Sequence, residues 1–303
     1  MPDDAMLRPD DSSKTTTQGF AHNSDPTPKA FISTMESRRR DDQTGQLGTG
    51  LQSSGNKLCQ GERASLLVPV AILRVMLINP PSPDGEIYIR DVNRSGRKSS
   101  EGTIWPQTSL ALIAAVLGEA GCEVKIEDCI AERTDYQKLY HRMQEWKPTH
   151  VLIESVSSTI PHDMIVAHYA KYLGATTLLI SPHGEALEAE TRKRFPSIDH
   201  VVHYEKQEEP EYAIRELITG QARRTDESFE SLPCARQDLL PLQNYHLPLI
   251  GSRYTFVLTS RGCPWRCIYC RQTVTWKSRV RYRRPETVVD EIRHYRLTNI
   301  AFH

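Results

Sequence analysis

The stretch RVMLINPP (74–81) decides the fold of the chain. It places four consecutive apolar residues, Val75 to Ile78, directly before Pro80 and Pro81. A short continuous apolar run indicates a strand covered on both faces, as in a parallel sheet, and the prolines end it because they cannot donate to a strand ladder. The sequence therefore predicts that an α/β unit begins near residue 74.

Strands and helices alternate from there to about residue 219. Further strands are predicted at 122–129, 149–156, 175–182 and 199–205, and helices at 110–117, 135–146, 162–173, 185–195 and 209–219. Because parallel strands need helical crossovers, this alternation predicts a doubly wound parallel sheet of flavodoxin or Rossmann-like type. A ligand of such a fold lies beyond the carboxyl ends of the strands, here 79–81, 128–129, 155–159 and 181–184.

The segments around this unit differ in composition. Residues 1–68 are rich in Ser, Thr, Asp, Gln and Gly without an apolar period, which predicts a disordered N-terminal extension, although a wrongly assigned start codon explains the same pattern. The α/β domain is predicted at 70–220, and the proline-rich stretch 221–252 is predicted to be an extended linker. A second unit then begins at 253–303, with a strand at 253–260, a helix at 285–296 and another strand from 299.

Whole-chain composition excludes several classes of protein. The 303 residues contain 38 Lys and Arg and 38 Asp and Glu, so no net basic charge points to nucleic acid. Seven cysteines form an odd set without the spacing of a secreted disulfide scaffold. The N-terminus lacks a signal-peptide layout, and the apolar run at 66–78 is too short to span a bilayer. A cytoplasmic protein without a membrane span is the prediction.

Three cysteines stand within TSRGCPWRCIYC (259–270), at Cys263, Cys267 and Cys270. Three thiolates on one tight loop can bind a single iron–sulfur cluster and leave one iron open. A structural zinc site needs a fourth ligand, for which His294 and His303 are the nearest downstream candidates. Unliganded thiols are the third alternative.

The same loop resembles the signature of the radical S-adenosylmethionine (SAM) superfamily, in which a CxxxCxxC motif follows the first strand of a (βα)6 barrel. The resemblance implies that Cys263, Cys267 and Cys270 bind a 4Fe-4S cluster whose open iron binds SAM. It also implies that Tyr269 packs near the adenine of SAM. Residues 253–303 would then be the first βαβ part of an incomplete radical SAM barrel.

The upstream domain resembles the cobalamin-binding domain of cobalamin-dependent radical SAM enzymes, the group that includes anaerobic magnesium-protoporphyrin cyclase and hopanoid-biosynthesis enzymes. RVMLINPP and the stretches at 105–129 and 180–209 carry the likeness. It implies bound cobalamin, with His183, Ser155 and Ser157 as candidate contacts, although His183 can equally be a surface histidine. The chain contains no Asp-x-His-x-x-Gly, so histidine ligation of cobalt has no support.

The implied activity is radical methyl transfer, cyclisation or rearrangement on a small-molecule substrate, with an external electron donor such as flavodoxin or ferredoxin. An RNA methylthiotransferase and a non-catalytic cobalamin-binding module are the alternatives. Because the chain ends within the second barrel strand, we expect a C-terminally truncated fragment that is inactive or poorly folded beyond residue 252. The eight Lys or Arg between Arg261 and Arg284 are read as a solvated loop that balances an anionic cluster, in preference to a nucleic-acid surface.

Overall fold

The computed structural model describes residues 72–90, 96–180, 187–204, 209–249, 251–270, 275–276 and 279–303. The predicted disordered extension at 1–68 lies outside these residues. The strands are β1 (Arg74–Asn79), β2 (Tyr88–Ile89), β3 (Arg97–Lys98), β4 (Glu123–Asp128), β5 (His150–Glu154), β6 (Thr176–Ile180), β7 (His200–Val202), β8 (His246–Leu247), β9 (Gly251–Ser252), β10 (Tyr254–Val257), β11 (Ser260–Arg261), β12 (Arg281–Tyr282) and β13 (Asn299–Phe302). The helices are α1 (Thr108–Glu119), α2 (Tyr136–Trp146), α3 (Ile160–Tyr172), α4 (Glu188–Arg194), α5 (Pro210–Thr219) and α6 (Pro285–His294).

Five parallel strands form the main sheet, in the order β4-β1-β5-β6-β7. In chain order of these strands this is 2-1-3-4-5, the order of flavodoxin-like doubly wound folds. Leu77 of β1 lies opposite Ile126 on one side and Leu152 on the other. The fold class predicted from RVMLINPP and the alternation that follows it is therefore confirmed by the strand order itself.

The two faces of the sheet are covered by different helices. Val75 and Leu77 belong to a core cluster that includes the buried residues of α1 and α5. Alternation along the strand places Met76 and Ile78, which are fully buried, on the opposite face. There α2 and α3 pack together, with the rings of Tyr140 and Tyr169 5.1 Å apart. Both faces of β1 are thus shielded from water, which explains its uninterrupted apolar run from Val75 to Ile78.

The segment predicted to be an extended linker, 221–252, is packed against the core. It contains three short 3-10 helices, Phe229–Ser231, Gln237–Leu239 and Leu242–Asn244. Phe229, Leu232 and Tyr245 of this segment belong to the core cluster. The absence of a sustained apolar period misled the prediction, because 3-10 turns bury single side chains at irregular intervals.

The second unit begins as predicted with a parallel pair. β10 pairs with β13, and α6 connects them, which is one βαβ unit. Tyr254 and Phe256 of β10 belong to the same core cluster as the sheet, and Phe256 lies 4.4 Å from Trp105 between ring centroids. β10 is therefore fully buried. The expectation of poor folding beyond residue 252 stays a prediction. The proposed domain boundaries at 220 and 253 stay a prediction.

The helices in the described part of the chain are too short or too polar to cross a bilayer.

Candidate functional site

The three cysteines lie on a loop that leaves the carboxyl end of β10. β11 follows β10 directly and pairs with β12 in antiparallel register, so that Ser260 lies opposite Tyr282 and Arg261 opposite Arg281. We call the described residues between these two short strands, 262–270, 275–276 and 279–280, the cysteine loop. The ladder between β11 and β12 closes its base, which we call the neck.

The side chains of the cysteine loop are largely open to solvent. Cys267 is exposed, and Cys263 and Cys270 are partly buried. The amide of Cys270 donates to the Cys267 carbonyl at 3.0 Å, which forms a tight turn between these two ligand candidates. Trp265 and Ile268 in the same loop are also exposed. An exposed, tightly turned loop is a segment whose side chains can be gathered by a bound group.

The cysteines match an iron–sulfur cluster in donor type and number. All three are free thiols, and thiolates are the usual ligands of such clusters. Within the described residues, however, no three Cys, His, Asp or Glu side chains are close enough together to hold a metal ion. The zinc alternative is no better supported, because His294 and His303 are not grouped with the cysteines either. The donor set therefore fits a cluster chemically, but the three sulfur atoms do not lie close enough together here to hold one.

A glycine fixes the start of the cysteine loop. Gly262 has φ +105°, and a Cβ at this position would lie 1.8 Å from the backbone oxygen of Arg279. Only glycine combines this backbone conformation with so close an approach. The two ends of the loop are therefore in contact immediately beyond the neck.

Ion pairs from α5 hold both strands of the neck. Arg261 donates to both carboxylate oxygens of Glu211, from Nη1 at 3.1 Å and from Nη2 at 2.6 Å. Arg281 donates to one oxygen of Glu209, and Arg223 donates to the other at 2.5 Å. Glu209 and Glu211 are 2% and 1% exposed, so these contacts are shielded from water. Both ends of the cysteine loop are thus held by ion pairs to the beginning of the same helix, α5.

Aromatic rings flank the two neck arginines. The Arg261 guanidinium lies 5.0 Å from the centroid of Phe229 and 4.8 Å from that of Trp276. Arg281 lies 5.6 Å and 5.9 Å from the same two rings. Cation–π attraction adds to the ion pairs when the charge is desolvated.

These contacts change the interpretation of the basic segment between Arg261 and Arg284. Arg261, Arg281 and Arg283 are not solvated, because each is paired with a buried glutamate, and Arg283 pairs with Glu291 at 2.7 Å. Three of the eight positive charges are therefore neutralised inside the protein and cannot form part of a basic surface.

A cavity of about 170 Å³ adjoins the start of the cysteine loop. Its walls come from Leu258, Ser260, Arg261, Gly262, Cys263, Trp276 and His303. Cys263 is the loop cysteine that borders it. A small group bound in this cavity would lie beside Cys263 and Trp276.

A second polar region lies at the carboxyl edge of the main sheet. Arg90 is fully buried there and donates to Asp163 Oδ1 at 2.8 Å, to Thr159 Oγ1 at 3.2 Å and to Asn79 Oδ1 at 3.2 Å. It also donates to the Pro80 and Pro81 carbonyls, at 2.9 and 3.3 Å. This arginine joins the ends of β1 and β5, between which the strand order reverses.

Asp128, at the end of β4, extends the same network. Asn79 Nδ2 and the Tyr245 hydroxyl donate to its two carboxylate oxygens, each at 2.8 Å. The Ala131 amide adds a third donor at 3.1 Å. Burial nevertheless raises the pKa of Asp128 to about 6, because the desolvation of the carboxylate outweighs these hydrogen bonds.

No protein-family model matches the chain. Over 252 residues it is 25% identical to an uncharacterized methyltransferase of Pyrococcus horikoshii, a match that covers 74% of this chain and 51% of that protein. Over 232 residues it is 22% identical to the anaerobic magnesium-protoporphyrin IX monomethyl ester cyclase of Cereibacter sphaeroides, covering 68% and 37%. The chain therefore spans about half, or less, of the length of these curated relatives.

Two solved structures of TsrM from Kitasatospora setae, a radical SAM methyltransferase, also resemble the chain. The structure with cobalamin and a 4Fe-4S cluster bound has 16% sequence identity and a TM-score of 0.49, covering 77% of this chain and 49% of that chain. The structure with tryptophan and a SAM analogue bound has 15% identity and a TM-score of 0.46, covering 76% and 47%. The fold assignment rests on the strand order of this chain.

The predicted cofactor contacts have different surroundings. Ser155 is buried and donates to Asp163 Oδ2 at 2.7 Å, so its hydroxyl belongs to the Arg90 network. Ser157 is exposed in the turn that follows. His183 lies outside the described residues. Tyr269 is 88% exposed, and its pKa is raised, first because its hydroxyl hydrogen-bonds to Cys267. The roles of all four stay predictions.

Sequence reasoning missed the charged residues that organise both regions. Arg90 and Asp163 come from a polar loop and from a helix, and nothing in their local pattern marks them as partners. Arg261 stands immediately before Gly262 and the first cysteine, a position that could have singled it out. Glu209 and Glu211 flank Pro210 at the start of α5, where acidic residues are ordinary helix-terminal residues.

Proposed function

We propose that the chain is the cluster-binding and cobalamin-binding part of a radical SAM enzyme. Its reaction is radical methyl transfer to carbon, or a radical cyclisation or rearrangement, on a small-molecule substrate. Cys263, Cys267 and Cys270 bind a 4Fe-4S cluster, and SAM binds at the iron that they leave open. When reduced, such a cluster supplies the electron that cleaves SAM.

One observation carries the proposal: the CxxxCxxC loop leaves the carboxyl end of the first strand in a βαβ unit, and this unit lies C-terminal to a 2-1-3-4-5 parallel sheet in the same chain. Three thiols on one loop provide the donors for a cluster with an open iron. The relatives support the same chemistry, since one is a methyltransferase and the other an anaerobic cyclase, and both matches extend over more than two thirds of this chain.

The protein's own residues would position and shield the reactants. The cavity beside Cys263 offers the Ser260 hydroxyl, the Trp276 ring and the edge of the buried Arg261. Its apolar wall at Leu258 excludes water from that side. In an enzyme of this kind the cofactors carry the difficult chemistry, and the protein orients them.

Cobalamin would lie against the carboxyl edge of the main sheet. The Arg90 network already occupies the ends of β1, β4 and β5, so Ser155 would act there through Asp163 and not by direct contact. The exposed Ser157 and the predicted contact His183 are the candidates for direct contact. An electron donor such as flavodoxin or ferredoxin would deliver the reducing electron.

Anaerobic reconstitution of the chain with iron and sulfide tests the cluster. We expect a broad visible absorbance and close to one cluster per chain. A triple variant, Cys263→Ala with Cys267→Ala and Cys270→Ala, should lose both. The matched control is Cys122→Ala with Cys234→Ala, which removes two partly buried thiols outside the loop and should keep the cluster.

An unchanged spectrum in the triple variant would refute the cluster assignment. The cobalamin assignment is tested separately by gel filtration of the full chain with hydroxocobalamin. Co-elution of the corrin absorbance with the protein is expected. Complete separation of the two would remove cobalamin from the proposal and leave the cluster assignment intact.

A further inference from the structure

We propose that Glu209 and Glu211 are positioning residues for the cysteine loop. Acting through Arg281 and Arg261, they fasten both strands of the neck to the start of α5 and so hold the two ends of the loop together. The inference rests on the proposed function in one respect, namely that the loop's cysteines bind a cluster.

The contact at Glu211 is a bidentate ion pair. Both guanidinium Nη atoms of Arg261 donate to it, and the side chains are 5% and 1% exposed. This fork-to-fork geometry fixes the direction of the arginine as well as its distance. Since Cys263 follows Arg261 by two residues, the first cysteine is positioned from α5.

The contact at Glu209 holds the other strand. Arg281 and Arg223 donate to different oxygens of this carboxylate, which is 2% exposed. Glu209 is the residue that precedes the first turn of α5, where the helix dipole also favours a negative charge. Pro210 between the two glutamates starts the helix at a fixed φ, so both carboxylates are presented from a rigid segment.

The charges of the neck need both glutamates. Arg261 and Arg281 lie directly opposite each other in the β11–β12 ladder, and both contact the same two rings. Two buried positive charges so close together repel each other unless each has its own carboxylate. Removal of one glutamate would therefore push the strands of the neck apart.

A closed neck favours convergence of the cysteines. A loop whose ends are already joined has lost much of the conformational entropy that gathering three thiols would otherwise cost. The glutamates would thus raise cluster affinity without touching the cluster. A merely stabilising ion pair would lower the unfolding temperature when broken, but it would leave the local behaviour of the loop unchanged.

The test compares Glu211→Gln with the wild-type chain and with Glu227→Gln. Glu227 is a control because its carboxylate is also buried but pairs with Arg215 of α5 and not with an arginine of the neck. The apo protein is labelled with a maleimide under reducing conditions, and mass spectrometry measures each cysteine separately. In Glu211→Gln we expect Cys263 to react about ten-fold faster, equivalent to about 1.4 kcal/mol of lost local stability. Cys122 should react at the wild-type rate.

The second readout is loss of the reconstituted cluster to an iron chelator. It should be about ten-fold faster in Glu211→Gln than in wild type, a change equivalent to about 1.4 kcal/mol, and unchanged in Glu227→Gln. If Glu211→Gln does not fold, as judged by circular dichroism, the same two measurements are made on Glu211→Asp. This variant keeps the charge but shortens the reach to Arg261.

Equal labelling of Cys263 in the neck variant and the wild type overturns the inference, as does an equal effect of Glu227→Gln. If wild type takes up no cluster, the proposed function fails, but the labelling experiment still decides whether the glutamates hold the neck.

Discussion

Arg90 and Asp163 form an ion pair in which neither side chain has any exposed surface, with Nη2 2.8 Å from Oδ1. The other carboxylate oxygen accepts from Ser155 and Thr159, at 2.7 and 2.6 Å. The pKa of Asp163 is raised, because burial outweighs the opposing effects of the arginine and the two hydroxyls. The pair joins the residue that follows β2 to the start of α3, across the point where a doubly wound sheet binds its ligands.

Asp163→Ala should therefore be severely destabilising. It leaves the Arg90 guanidinium buried without a counter-charge, and breaking a buried pair in this way typically costs about 3–5 kcal/mol. Urea denaturation followed by circular dichroism measures the loss. As a control, Glu101→Ala breaks the exposed pair with Arg97 and should leave the urea midpoint close to that of wild type. Equal losses in the two variants would contradict a structural role for the buried pair.

The buried carboxyl of Asp128 predicts a pH dependence. Its pKa is raised by burial from the ordinary value of 3.8 to about 6, so the folded protein binds more protons than the unfolded chain between these pH values. The free energy of unfolding therefore falls as the pH rises from about 4 to about 6, by about 3 kcal/mol for a two-unit shift. Tyr245 donates to this carboxylate, and the nearby negative charge of Glu132 adds to the upward shift.

The measurement is urea denaturation at a series of pH values, compared between wild type and Asp128→Asn. Other carboxylates titrate in the same range, so the difference between the two proteins isolates Asp128. The difference should change across the window from about pH 4 to about pH 6 and be flat above it. A difference that is constant from pH 4 to pH 7 would show that the carboxyl does not titrate there.

Tyr245→Phe should change the same titration in a defined direction. The fully buried Tyr245 hydroxyl donates to Asp128 Oδ2 and thereby favours the ionised carboxylate. Its removal raises the pKa of Asp128 further, and we expect a loss of about 1–3 kcal/mol at pH 7 that becomes smaller as the pH falls below about 6, where the carboxyl is protonated in both folded proteins. Tyr254→Phe is the matched control, because its buried hydroxyl donates to the Ile104 carbonyl, which does not titrate. The loss in that control should be the same at both pH values.

The sequence was sufficient to predict the main sheet because its signal is local and repeated. Most strands contain a short apolar run, most helices have an apolar stripe, and crossover rules leave few ways to connect them. The segment 221–252 was misjudged because its burial comes from tertiary contacts. Phe229 and Tyr245 reach the core from 3-10 turns that have no period to detect.

The candidate site likewise has one part that the sequence predicts and another that it does not. The cysteine spacing is a local motif, and the structure places it as predicted after a strand and before a helix. The partners of the neck are remote in sequence: Glu211 lies 50 residues before Arg261, and Glu209 lies 72 residues before Arg281. Which glutamate pairs with which arginine depends on how the two units pack, and this information is not contained in either local pattern.

Gly262→Ala should separate the two strands of the neck. The substitution places a Cβ 1.8 Å from the Arg279 backbone oxygen at φ +105°, so both the loop and its partner strand must move. We expect a loss of at least about 2–3 kcal/mol in unfolding free energy, together with faster maleimide labelling of Cys263.

Gly85→Ala is the control that separates backbone strain from steric overlap, because Gly85 has φ +78° with nothing within 4 Å of the added Cβ. That control should cost only about 1–2 kcal/mol, the conformational part, and should leave Cys263 labelling at the wild-type rate. Similar losses and labelling rates in both variants would mean that the contact between Gly262 and Arg279 does not hold the loop closed.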